Sequence, residues 1–286
     1  NLWRGIRFGR VEWRGFDTAV KGTDLQLRWS LRALLRGKGL VHQLEAGTLI
    51  VQVPPGDPDK PRTDTDMPGD FGLPFPLEIR KLAVGRLEIQ PPAVNGKDAE
   101  PYVVLTDIDG TAEYAVGQYR IKTLALTSPW GQVRSATAQM EGAPPHRLKG
   151  VIQANGQAQQ WPYDATLTVD GDLARLPATL KGQLADGMAD IQAVVKPLGR
   201  MPVERLHVRL ADTNLMRFTA LGKLPETGMD LDLDIDQAPG KKETWQGLIR
   251  LANRRAGTLE ANRIPLRSLQ SGIVFRIPPT AQWEHL

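Results

Sequence analysis

Hydrophobic residues recur at every second position along almost the whole chain, in short runs set apart by polar and turn-forming stretches. The runs are Leu25, Leu27 and Trp29; Leu49, Val51 and Val53; Leu77 and Ile79; Val103 and Leu105; Leu167 and Val169; Leu206, Val208 and Leu210; Met229, Leu231, Leu233 and Ile235; and Ile273, Phe275 and Ile277. A period of two sends alternate side chains to opposite sides of an extended backbone, so each run predicts a strand with one apolar face. Asp109-Gly110, Asn155-Gly156, Asp170-Gly171 and Asp186-Gly187 are turn signals of the kind that joins antiparallel neighbours, and they predict hairpins in series. Helical patterning is confined to "SLRALLRG" (30–37), where Ser30 is placed to cap one or two turns ending at Gly37, and to "GQVRSATAQMEG" (131–142). The expectation is an all-β chain, mostly antiparallel, with one or two short helices.

One pattern repeats. "IRFGRVEW" (6–13), "LEAGTLIV" (44–51) and "LAVGRLEI" (82–89) share an apolar-x-x-Gly-x-apolar-x-apolar frame and start 38 residues apart both times, with "RRAGTLEA" (254–261) a degenerate fourth. In the first three the apolar frame slips by one residue across the glycine, which in an uninterrupted strand would send the second half to the opposite face. A bulge or bend at Gly9, Gly47 and Gly85 would restore the facing. The second interval contains "PPGDPDKPRTDTDMPGDFGLPFP" (54–76), a Pro-rich surface loop without periodicity. Because the alternating style resumes on both sides of it, residues 1–286 read as one elongated β segment with no separate catalytic domain.

Composition narrows the chemistry. Twenty-eight Gly and 22 Pro in 286 residues suit many turns rather than long helices, and the absence of Cys removes disulfides and thiolate metal sites. Residues 1–53 carry nine basic and four acidic side chains, with Arg4, Arg7, Arg10 and Arg14 spread along strand-like sequence rather than clustered. No stretch approaches the length of a membrane-spanning helix and no signal peptide is present, and a start on Asn1 reads as a processed protein or an excised piece.

The aspartate run "MDLDLDID" (229–236) is the first place to look for a metal. On a strand, Asp230, Asp232, Asp234 and Asp236 share one face at nearly ~7 Å spacing, whereas calcium ligands must converge at about 2.3 to 2.6 Å from one ion. A water-facing row paired with cations such as Arg250 or Lys241 is the expected role. The four histidines, His42, His146, His207 and His285, form no HExxH or i,i+4 pair, and His207 belongs on the polar side of its strand. Serine is rare and lacks a GxSxG setting, and no GxxxxGK[ST] or GxGxxG opens a helix, so hydrolase and nucleotide chemistry have little to work with. No cofactor or metal is expected, nor nucleic acid, and an enzyme is the least supported class.

The stretch "TDLQLRWSLRALLRGKGLVHQLEAGTLIVQVP" (23–54), a strand ending in Trp, a short Leu-Leu turn and strands around a Gly, resembles the amino-terminal part of TamB and its AsmA-like relatives. "LPFPLEIRKLAVGRLEI" (73–89) and "LPATLKGQLADGMADIQAVVKPLGRMPVERLHVRLADTNLMRF" (176–218) extend the resemblance over nearly the whole chain. It implies a strongly curved β-groove with an apolar concave face, in the membrane-proximal or middle part of a periplasm-spanning bridge of Gram-negative bacteria. Such a bridge is anchored in the inner membrane by an amino-terminal helix outside this chain, meets an outer-membrane partner of the TamA type, and carries phospholipid between the membranes. A chaperone-like scaffold for outer-membrane proteins and a carbohydrate-binding β-sandwich are the alternatives.

About eighteen short strands at ~4.8 Å would extend a sheet ~85 Å, too far for one compact core. The apolar face of a single sheet then needs a cover. The residues expected to line a groove for acyl chains are Leu25, Leu27, Leu49, Val51, Leu77, Ile79, Leu206, Val208, Leu231, Leu233, Ile235, Ile273 and Phe275. Alternation alone would serve a packed sandwich or barrel core equally well; the resemblance turns the reading to a groove.

Overall fold

The computed structural model describes residues 5–15, 18–54, 64–92, 100–158, 161–214, 225, 227–240 and 243–276. The fold is all-β and mostly antiparallel, with fifteen strands and one four-residue helix among the described residues, and strand order follows chain order without closing into a barrel. Fewer, longer strands replace the eighteen expected. Backbone contacts define two units, Asn1–Asp57 with Gly69–Pro144, and Pro58–Pro68 with Pro145–Leu286.

The first unit holds β1 (Ile6–Arg14), β2 (Ala19–Trp29), α1 (Leu31–Leu34), β3 (Gly39–Gln52), β4 (Leu77–Gln90), β5 (Val103–Ala115), β6 (Gln118–Ser128) and β7 (Gly131–Glu141). Neighbours pair antiparallel except β3 and β4, which run parallel. Hairpins in series therefore fail at one place, because a parallel pair needs a long crossover and the Pro-rich stretch supplies it. Residues 64–76 contain no helix or strand, and residues 55–63 lie outside the described residues. "GQVRSATAQMEG" is strand β7 rather than helix: Val133 pairs with Leu126, Ala138 with Ile121 and Met140 with Tyr119, and this cross-strand pairing overrides local propensity.

The glycine repeat has a structural cause. Val11 pairs with Gly22, Gly22 with Leu49, and Leu49 with Leu87, so the two 38-residue offsets are the pairing register itself. Along the same line Gly9, Asp24, Gly47, Gly85 and Asp107 fall in gaps in the ladders, with Asp24 and Asp107 in the left-handed region at φ 52° and 53°. The strands shift parity together there, as a bulge does. Leu82, before its glycine, and Leu49 and Leu87, after theirs, all pack on the buried cluster Ala46, Val84 and Ile108. At Gly85 the facing is restored on both sides, as the sequence predicted. The degenerate fourth copy is not a strand; residues 254–261 form turns.

The second unit holds β8 (Leu148–Ala158), β9 (Trp161–Gly171), β10 (Leu176–Leu184), β11 (Gly187–Val195), β12 (Val203–Thr213), β13 (Met229–Gln237), β14 (Thr244–Asn253) and β15 (Ser268–Arg276), each antiparallel to the next. Three of the four expected turn signals lie within strands: Asp109-Gly110 in β5, Asn155-Gly156 in β8 and Asp170-Gly171 as the last two residues of β9. Gly110 is there because a side chain would meet the Thr123 carbonyl oxygen at 2.7 Å. A two-residue turn that does form is Val116-Gly117, both at positive φ (52° and 74°), between the paired residues Ala115 and Gln118.

Candidate functional site

Cross-strand pairing places the predicted apolar residues on shared faces. In the second unit, Ile152, Leu167, Leu180, Ile191, Val208, Leu233 and Ile249 stand opposite one another in turn, one from each strand of β8 to β14. This row crosses seven strands, ~29 Å at the usual strand spacing. Beside it runs Val169, Ala178, Ala193, Leu206, Ile235, Gly247 and Ile273, and on the other side Ala165, Gly182, Ala189, Leu210, Leu231, Leu251 and Leu269. Phe275 pairs with Trp245 one rung further, their rings stacked at 6.4 Å. Leu206, Val208, Leu231, Leu233, Ile235, Ile273 and Phe275 are thus brought onto one surface.

In the first unit, Leu27 pairs with Leu44 and Leu44 with Leu82; Leu49 with Leu87 and Leu87 with Leu105; Val51 with Ile89 and Ile89 with Val103. Val41, Ile79, Ala112 and Ile121 form a further row, and Leu77 pairs with Tyr114. Leu25 packs on the Ala46, Val84 and Ile108 cluster. So Leu25, Leu27, Leu49, Val51, Leu77 and Ile79 are members of rows on this sheet.

Among the described residues of each unit, the main contacts between elements are those of neighbouring strands in the sheet and of α1 with β3. No residue of the Leu233 row is fully buried, and Ile152 at its end is 37% exposed. An apolar row that keeps partial contact with water is a surface that gains by being covered, at about 25 cal/mol per Å².

The opposite face of the second unit is charged and internally paired. Asp230 meets Arg254 at 2.7 Å, Asp232 meets Arg209 and Arg250 at 3.3 Å each, Asp234 meets His207 at 2.5 Å, and Asp236 meets Arg205 at 2.5 Å. Donating to Asp236 and Asp230 holds the Arg205 and Arg254 guanidiniums above their ordinary range. The pairing expected for the aspartates is present with Arg250; Lys241 lies outside the described residues. His207, Asp232 and Asp234 bring donor atoms within 4.8 Å of one another, a clustering across strands that spacing along the chain could not show. Two guanidiniums already engage Asp232, so a cation there would compete with paired charges.

Sequence reasoning missed Ile152, Leu167, Leu180, Ile191 and Ile249 as lining residues of the Leu233 row, and Leu44, Leu82, Leu87 and Leu105 in the first unit. In "ADIQAVV" (189–195) the alternating frame is carried partly by alanines, so counting Ala as apolar would have found it. No helix among the described residues is long and apolar enough to cross a membrane. No family model, curated protein or solved structure matches the chain.

Proposed function

We propose that this chain is a non-enzymatic segment of a TamB- or AsmA-like bridge, and that the apolar rows of its sheets receive phospholipid acyl chains. The observation that carries the reading is the Leu233 row: seven aliphatic side chains in register from β8 to β14, none of them fully buried. An acyl chain lying along such a row gains roughly 0.8 kcal/mol per CH₂ taken out of water, and sliding from rung to rung exchanges one apolar contact for another. Travel along the lane therefore costs little while escape from it costs much. The charged reverse face, with its neutralised Asp232 and Asp236, keeps that side in water and gives the lane one direction to face. In the full-length protein the segment would lie in the periplasm of a Gram-negative bacterium, anchored in the inner membrane and joined to a TamA-type partner.

A photo-crosslinking residue at Leu233 tests this, with Asp232 on the reverse face as control. Phospholipid captured from Leu233 and not from Asp232 is the expected result, with phospholipid also recovered by mass spectrometry from gently purified protein. Capture of nascent polypeptide instead would favour the scaffold alternative. Leu233→Asp is expected to lose lipid while the protein stays folded; global unfolding would make the face a packed core.

A further inference from the structure

We propose that the turn around α1, residues 30–38, docks this protein onto an anionic phospholipid bilayer surface. The turn is rigidly built. Ser30 Oγ accepts from Ala33 N–H at 3.2 Å, and the Leu34, Leu35, Arg36, Gly37 and Lys38 N–H groups donate to carbonyls inside the turn at 2.9 to 3.1 Å. Gly37 closes it at φ 72°. Ser30 N–H also donates to the Leu40 carbonyl at 2.9 Å, tying the turn to the start of β3.

What this scaffold presents is apolar. Leu35 is 81% exposed and Leu34 49%, and the hydrogen bonds that build the turn engage their backbone, not these side chains. Phe75, 42% exposed, lies beside Gly39 at the same end of the sheet. Scattered exposed leucines are ordinary, but here adjacent ones top a fixed turn.

The surrounding charge selects the partner. From Leu25 to Leu44 the chain carries Arg28, Arg32, Arg36 and Lys38 and no acid. Arg32, Arg36 and Lys38 have no carboxylate partner among the described residues, unlike the paired arginines of β12 and β14. Arg28 lines an open hollow next to the turn together with Arg7 and His42. Exposed leucines ringed by unneutralised cations match a bilayer interface bearing anionic headgroups, where the apolar tips enter the acyl boundary and the cations sit at the phosphates. A neutral protein groove would accept the leucines but leave the cations unused.

Flotation with vesicles of phosphatidylcholine alone and of phosphatidylcholine with phosphatidylglycerol tests the proposal on the whole chain. Salt-sensitive binding to the anionic vesicles is expected. Leu34→Ser with Leu35→Ser should weaken it at least about tenfold. Replacing Arg32, Arg36 and Lys38 by Gln should weaken it roughly fivefold per charge. Because the chain has no Cys, Leu35→Cys labelled with an environment-sensitive dye reports insertion directly, and its emission should shift to the blue with anionic vesicles only. Absence of vesicle binding overturns the proposal, as does wild-type binding by the serine variant. A dimer abolished by the serine variant, without flotation, would make the patch a contact between two copies. Val116→Ser, at another exposed turn of the same unit, should float as wild type; loss of flotation there, with the 30–38 variants unaffected, would move attachment away from this turn.

Discussion

The two units treat the same alternating pattern differently. In the first, the ladders are interrupted along Gly9, Asp24, Gly47, Gly85 and Asp107, and beside that line Ala46, Val84 and Ile108 are buried with leucines from β2 to β6 around them. In the second, pairing from β8 to β11 runs without a shift until Val194, and the buried apolar residues are Trp161, Ala189, Met229, Ala238 and Trp245, most of them at strand ends. A transverse bulge line folds a sheet's apolar face toward itself and makes a local core. In the second unit the register slips only locally, at Val194 and at left-handed Asp212 between Leu210 and Thr213, and the strands from β8 to β11 run without interruption. The difference lies in whether the interruptions line up across neighbouring strands, not in hydrophobicity.

The largest expected contrast is between core and lane. Ile108→Ala should cost about 3 kcal/mol, because the site is closed on several sides and cannot collapse fully. Leu233→Ala should cost about 1 kcal/mol, because its side chain already meets water. Urea denaturation of both variants measures the pair. Equal losses would mean that the second unit's face is packed as tightly as the first's and would remove the distinction.

The bulge line itself comes next. A Cβ at Gly85 would stand 2.8 Å from the Gly47 carbonyl oxygen, a backbone atom that cannot swing away, whereas one at Gly9 meets nothing within 4 Å. Gly85→Ala should therefore destabilise by roughly 1 to 3 kcal/mol. Gly9→Ala should change stability by a few tenths of a kcal/mol at most, in the stabilising direction. Thermal melts of the two single variants decide it; equal effects would show that the repeated glycines mark turn propensity rather than close backbone approach.

How much of this was legible follows from what each feature depends on. Alternation is local, so the strands at Leu206–Leu210 and Met229–Ile235 could be read directly, as could the compensating bend at Gly47 and Gly85. The parallel pairing of β3 and β4 was written in the 38-residue offset, yet it needed the partner strand to become a register. β7 looked helical because Ala, Gln and Met dominate it, and only Leu126 and Ile121 across the sheet make it a strand. Of the lining residues, Val208 and Leu233 stood in long apolar alternations and were found, whereas Ile191, whose frame is carried partly by alanines, was not. His207 beside Asp234 was invisible for the same reason: the two are 27 residues apart and meet only across a ladder.

The smallest expected effect is electrostatic and should leave the contrast intact. Lys81 holds the Glu45 carboxyl below its ordinary range and Lys122 does so for Glu113, both in the first unit; Lys196 does the same for Glu204 and Arg276 for Glu243 in the second. A carboxylate whose folded value is lowered contributes stability above its unfolded value, near 4.3, and that contribution disappears as pH falls through the folded value. Stability should accordingly be flat between neutral pH and about pH 5 and decline below it, more steeply at low ionic strength, where these exposed pairs are less screened. Because such pairs lie in both units, hydrogen exchange at low pH should show β4 and β12 losing protection together. Selective loss in one unit would mean that its fold leans on charge rather than on the apolar arrangement that separates them.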